Sequence, residues 1–118
     1  MDWLPLTSES QLEEINQKSF EKQLTGILLF KHSTRCSISS MALSRLERQW
    51  KQSVETFPAY QLDLLNYRSL SSRIAELFDI QHESPQILII KNGKCIYHAS
   101  HSAITAADIE AAVNKLTS

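Results

Sequence analysis

The sequence predicts an α/β domain with a mixed four-stranded sheet flanked by helices and an extra helix at the N-terminus. Three observations predict it. Two unbroken apolar runs, Ile27-Leu28-Leu29-Phe30 and Ile87-Leu88-Ile89-Ile90, read as strands covered on both faces. Around them apolar residues recur at three- and four-residue steps, the spacing of one helical stripe. Asn92-Gly93, just after the second run, is a strong hairpin signal, because a type I′ turn needs positive φ at both central residues.

Taken in order, Ser8-Glu9-Ser10-Gln11 has the form of a capping box with Ser8 as N-cap. Leu12, Ile15 and Phe20 then mark a short amphipathic helix that Gly26 ends. The first strand follows, and Lys31 and His32 continue it toward solvent. Ser33-Thr34-Arg35 offers N-cap candidates for a long helix with Ile38, Met41, Ala42, Leu46 and Trp50 on its stripe. Pro58 marks a break, and Ala59 to Leu65 reads as a second strand. Leu70, Ile74, Leu77 and Phe78 form another helical stripe. Pro85 directly precedes the third strand, Gln86 to Ile90, and Cys95 to Ser100 returns antiparallel as the fourth. Thr105-Ala106-Ala107-Asp108 opens a last helix with Ile109, Ala112, Val113 and Leu116 inward. Helices between the first three strands imply parallel neighbours, and the hairpin adds an antiparallel edge. That element order is thioredoxin-like.

Length and composition fit one domain, residues 1–118, with enough apolar side chains for a core. A formal net charge of -1 argues against nucleic-acid binding or a surface held by anionic lipid. The longest apolar runs fall far short of the roughly 20 residues that span a bilayer. Met1-Asp2-Trp3-Leu4-Pro5 has no basic stretch leading into an apolar one, so no secretory signal is read there. Two cysteines are too few for a disulfide-stapled secreted domain, which points to a reducing, cytoplasmic setting with free thiols.

The chemistry falls on Cys36, at the junction of the first strand and the long helix. Unpaired N–H groups and the positive end of a helix dipole favour a thiolate there. Lys31, Arg35, Arg45, Arg48 and Lys51 stand against the single acid Glu47 in the surrounding segment, which favours it further. A thiolate is the nucleophile of disulfide exchange. A dithiol enzyme would carry a second cysteine at position 39, where this chain has Ser39. Serine cannot resolve a mixed disulfide, but its hydroxyl is a candidate hydrogen-bond donor to Cys36. The chemistry expected is monothiol, weighed against a plain buried cysteine, the commoner fate of the residue.

Lys31-His32-Ser33-Thr34-Arg35-Cys36-Ser37-Ile38-Ser39 resembles the motif of the YtxJ-like monothiol bacilliredoxin family, whose pattern is Lys-His-Ser-Thr, a variable residue, then Cys-Pro-Ile-Ser. His82-Glu83-Ser84-Pro85-Gln86 resembles the same family's segment before its third strand. Ser37 departs from the pattern, where the family often has proline. The resemblance implies a thioredoxin-fold oxidoreductase that removes bacillithiol, as co-substrate, from S-thiolated cytosolic proteins, with no bound cofactor. It implies a reacting site of Cys36, Ser39, His32 and Thr34. It implies substrate binding by Ser84 and Pro85, with Pro85 cis beside the cysteine and the Ser84 backbone free to pair with an extended substrate. Lys31 and Arg35, with Arg45, are candidates for the carboxylates of the small thiol.

Other residues read as bland. Cys95 begins the return strand, roughly 20 Å from Pro85 by strand length, too far for a disulfide. His32 and Cys36 are two ligands without a third, so no metal is expected. As a cation His32 would support the thiolate; as an inert strand-end residue it would not. His82, His98 and His101 read as solvated, Trp3 and Trp50 as covers of the core edge, and Arg45 and Arg48 equally as a solvated helix face. Two other classes stay open: an iron–sulfur carrier, from the loose likeness of Cys36-Ser37-Ile38-Ser39 to monothiol glutaredoxins, and a thioredoxin-fold interaction module without redox activity.

Overall fold

The computed structural model describes the backbone of residues 1–117 and the side chains of residues 1–115. The elements run β1 (Trp3–Pro5), α1 (Glu9–Lys18), β2 (Ile27–His32), α2 (Ser37–Gln49), β3 (Ala59–Asp63), α3 (Arg68–Phe78), β4 (Gln86–Lys91), β5 (Lys94–Ser100) and α4 (Ala106–Thr117), with a 3-10 turn at His101–Ala103. The strands make one mixed sheet in the order β1-β3-β2-β4-β5.

The sheet therefore has five strands, not four. The added strand pairs parallel with β3, Trp3 opposite Ala59. Three residues ending in proline carry no alternation to read, and proline suits an edge, where its missing N–H is not needed. The N-terminal helix consequently follows a strand rather than standing as an appendage. Its C-cap is Ser19, and Phe20 lies outside it, exposed.

The pairing also departs from expectation at β4. β1, β3 and β2 are parallel, but β4 runs antiparallel to β2, with Lys31 opposite Gln86 and Ile27 opposite Ile90. A helix between two strands implies parallel pairing only if it delivers the chain to the starting edge. Here α3 stops at Asp79, in the left-handed conformation with φ 54°, and residues 79–85 lead back to the His32 end. The β4–β5 hairpin turns at Asn92 and Gly93, both at positive φ, as the type I′ turn requires.

Strand alternation divides the interior into two cores. Ile27 and Leu29 pack with Leu12 and Ile15 of α1, Ile74 and Phe78 of α3, and Leu88 and Ile90 of β4. Leu28 and Phe30 pack on the other face with Ala42 and Leu46 of α2 and Ile109 and Val113 of α4. The sheet centre is thus apolar on both sides, as its unbroken runs imply. Ser8 Oγ accepts from the Gln11 N–H at 3.2 Å, and Thr105 Oγ1 from the Asp108 N–H at 3.1 Å, so both predicted caps form. Leu116, expected inward, lies outside the described side chains.

The stripe of α2 is displaced from its expected position. Ile38 and Met41 are exposed, while Ser39, Ala42 and Leu46 are buried. A serine occupies a core-facing position and two large apolar side chains point outward, so hydrophobicity alone misplaces the buried face.

Candidate active site

Strand ends place this site. Gln86 pairs with Lys31, so one step further brings Pro85 level with His32. The turn after β2 and the segment before β4 consequently emerge at the same end of the sheet. Cys36 sits in that turn as the N-cap of α2. Its N–H donates to the Ser33 carbonyl at 3.1 Å and its carbonyl accepts from the Ser40 N–H at 3.1 Å, which fixes the residue at the first helical turn. Its side chain makes no capping hydrogen bond, and the residue is half-buried. The expected caps Ser33 and Thr34 stay outside the helix; Thr34 is exposed in the turn, and Arg35 is exposed next to Cys36.

Ser39 has a different partner from the one expected. Its Oγ lies 2.7 Å from His32 Nδ1 and accepts the Ser33 N–H at 3.1 Å. Among the described residues its hydroxyl bonds His32 and Ser33 and not Cys36. The serine instead ties the last strand residue to the first turn of the helix and so fixes the turn that carries the thiol. His32, expected toward solvent, is buried, with its ring edge-on to Phe30 at a centroid separation of 5.9 Å. Burial holds its imidazole below the ordinary value against the opposing pull of Asp63 and Glu47. His32 is thus a buried ring fixed at the strand end by Ser39.

The basic cluster around Cys36 disperses in space. Lys31 is one strand residue from His32 and so faces the opposite side of the sheet. It is fully buried, and its ammonium donates to the Ser71 carbonyl at 3.3 Å and pairs with His82 Nδ1 at 3.2 Å. It is not available to substrate carboxylates. Arg45 donates to the Ile104 carbonyl at 3.0 Å through Nη2 and ties α2 to the segment before α4. Arg48 lies about 18 Å down the helix axis, and Lys51 follows the C-cap Trp50 beyond the helix end. Arg35 is the one cation of the five left beside the thiol.

The Ser84–Pro85 bond is cis. Pro85 is buried, and its carbonyl accepts from the His101 N–H at 3.0 Å. Gln86 Nε2 donates to the Gln81 carbonyl at 3.0 Å, and Ser100 Oγ donates to Glu83. The segment is thus held on both flanks, while the N–H and C=O of Ser84 make no hydrogen bond among the described residues. His82 is exposed, as read, and its ring is also bonded to Lys31 and lies 3.2 Å from Ser71 Oγ. Neither Ser71 nor Gln86 was legible as part of this arrangement, because the contacts join residues 40 to 55 positions apart or opposite in the ladder.

Cys95 stands opposite Ile90, at the far end of the hairpin. Five strand steps separate that level from Pro85, about 16 Å, against the roughly 7 Å that a disulfide tolerates between Cα atoms. Its thiol donates to the Tyr97 carbonyl at 3.2 Å, and burial pushes it up. Both cysteines are free. Among the described residues no three His, Cys, Asp or Glu side chains are grouped to hold a metal ion, and no helix is long and apolar enough to cross a membrane. Trp3 packs on Phe30 at 5.7 Å and Trp50 on Phe57 at 5.1 Å, both at the core edge.

A half-buried cysteine thus stands in the strand-to-helix turn after β2, at the sheet end that also carries the cis Ser84–Pro85 bond. The model of the monothiol bacilliredoxin BrxC family matches residues 4–109. The chain belongs to the monothiol bacilliredoxin family. A solved structure described as a candidate oxidoreductase with a thioredoxin fold superposes at a TM-score of 0.76, with 25% identity over 92% of this chain and 91% of that one. Thioredoxins from Trypanosoma brucei brucei (12% identity, TM-score 0.74, 98% and 91% covered) and Malassezia sympodialis (13%, 0.72, 99% and 92%) share the fold. In these terms the bacilliredoxin chain is a thioredoxin fold with a single cysteine in the turn between β2 and α2.

Proposed function

We propose that this bacilliredoxin removes bacillithiol from mixed disulfides on cytoplasmic proteins through Cys36 alone. The observation that carries the reading is the isolation of the thiol. Position 39 holds a serine bonded to His32, and the other cysteine lies at the opposite end of β4. An internal disulfide has no partner to form with, so a mixed disulfide on Cys36 can be discharged only by a thiol from outside.

The Cys36 thiolate attacks the bacillithiol sulfur of a protein–S–S–bacillithiol substrate. A disulfide forms between Cys36 and bacillithiol, the old S–S bond breaks, and the protein leaves as a thiolate that takes a proton from water. A second bacillithiol thiolate then attacks the Cys36 adduct, giving bacillithiol disulfide and free Cys36. The net change is one mixed disulfide and one thiol to one protein thiol and one small disulfide. The unpaired backbone of Ser84 is suited to receive the substrate segment flanking the modified cysteine, as an added strand does. Arg35, exposed beside the thiol, is suited to a carboxylate of the small thiol.

The test is intact mass after incubation with a bacillithiol-modified protein. Wild type and Cys95→Ser are expected to gain one bacillithiol as the substrate loses it, and Cys36→Ser to gain none. A glutathione-modified control reads the choice of thiol. Absence of adduct on wild type would refute thiol transfer.

A further inference from the structure

Lys31 is buried, positively charged at neutral pH, and unused by the chemistry above. Among the described residues no carboxylate pairs with it. Its ammonium instead meets the Ser71 carbonyl of α3 and His82 Nδ1, and His82 also meets Ser71 Oγ. Burial lowers the lysine from 10.5 to about 8. An unpaired buried ammonium is costly, and an apolar residue of that length would serve the core better. What distinguishes Lys31 from an apolar residue is the bond it makes to a loop.

That loop leads to the cis-proline. His82 lies two residues before Ser84. Gln86, opposite Lys31 in the ladder, holds the carbonyl of Gln81 through Nε2 while its own Oε1 has no partner. Cross-strand neighbours of β2 and β4 therefore grip both Gln81 and His82. We propose that Lys31, through His82, is a positioning residue that holds the Gln81–Ser84 segment so that the Ser84 backbone is presented to an extended protein substrate. This rests on the thiol-transfer reading and assigns to Lys31 the orientation of the protein half of the substrate, not the capture of the small thiol.

The expected signature is a split between substrates. Lys31→Met keeps the length and removes the donor, and replacing a buried charge by an apolar isostere is usually tolerated by the fold. With a bacillithiol-modified protein, KM is expected to rise about tenfold with kcat unchanged, the scale of one charged hydrogen bond. With hydroxyethyl disulfide, which has no strand to lay against Ser84, the rate is expected to hold within about twofold. His82→Ala, at the surface, is expected to copy the KM effect, and His82→Asn, which restores an acceptor, to recover most of it.

Three results would overturn the proposal. Equal losses on both substrates would mean a general structural role. Unchanged KM in Lys31→Met and His82→Ala would mean that the grip does not reach Ser84. No transfer by wild type from either substrate would remove the parent reading and this one together, and is told apart by the wild-type control alone.

Discussion

At the scale of single residues, Ser39 and Lys31 carry the least expected roles. Ser39 Oγ binds both His32 and the Ser33 N–H in a buried place, so Ser39→Ala leaves two polar groups unsatisfied. We expect it to lower stability by about 1–3 kcal/mol in chemical denaturation while keeping a thiol at position 36. Lys31 titrates at a lower pH folded than unfolded, so the unfolded chain binds more protons between about 8 and 10.5. Stability is expected to rise with pH across that window as the cost of the buried ammonium is relieved. Lys31→Met should abolish that slope and raise stability at neutral pH by about 1–4 kcal/mol, as read from urea midpoints at several pH values. Cys36 was legible from its place between a strand and a helix. The burial of His32 and of Lys31 was not, because charged and ring side chains at a strand end normally reach water, and only the packing of α2 and α3 over them shows otherwise.

At the scale of elements, β2 serves two functions through its alternation. Even and odd positions feed the two cores, and its last two residues send Lys31 to α3 and His32 to α2. Removing a side chain at the centre of either core should be felt at the site: Ile74→Ala, fully buried on α3, is expected to cost about 2–5 kcal/mol by thermal or chemical unfolding. The hairpin is sensitive at Gly93, with φ 74°, where an added Cβ would meet the Phe20 ring at 2.7 Å. Gly93→Ala is expected to destabilise by about 1–2 kcal/mol from the backbone alone. The Asn92-Gly93 signal was plain in the sequence because the turn dictates its own residues. The β1 strand and the antiparallel course of β4 were not, since one is three residues long and the other depends on where a seven-residue connection delivers the chain.

At the scale of the whole molecule, the fold brings two segments far apart in sequence to one sheet end and leaves the second thiol at the other. The strand-helix alternation that produces this was readable in outline, and so was the family motif around Cys36. The two motifs contain Lys31, His82 and Gln86, but the bonds that join Lys31, Ser71 and His82 were hidden because no local pattern links residues so far apart. The account centres on a thiol that reacts without an internal partner. Its most direct test is a peptide map of the protein quenched at early times after mixing with a bacillithiol-modified substrate and no free thiol. The account predicts that the disulfide found is Cys36 to bacillithiol, persisting until more bacillithiol is added. A Cys36–Cys95 disulfide, or an adduct on Cys95 with Cys36 unmodified, would contradict it.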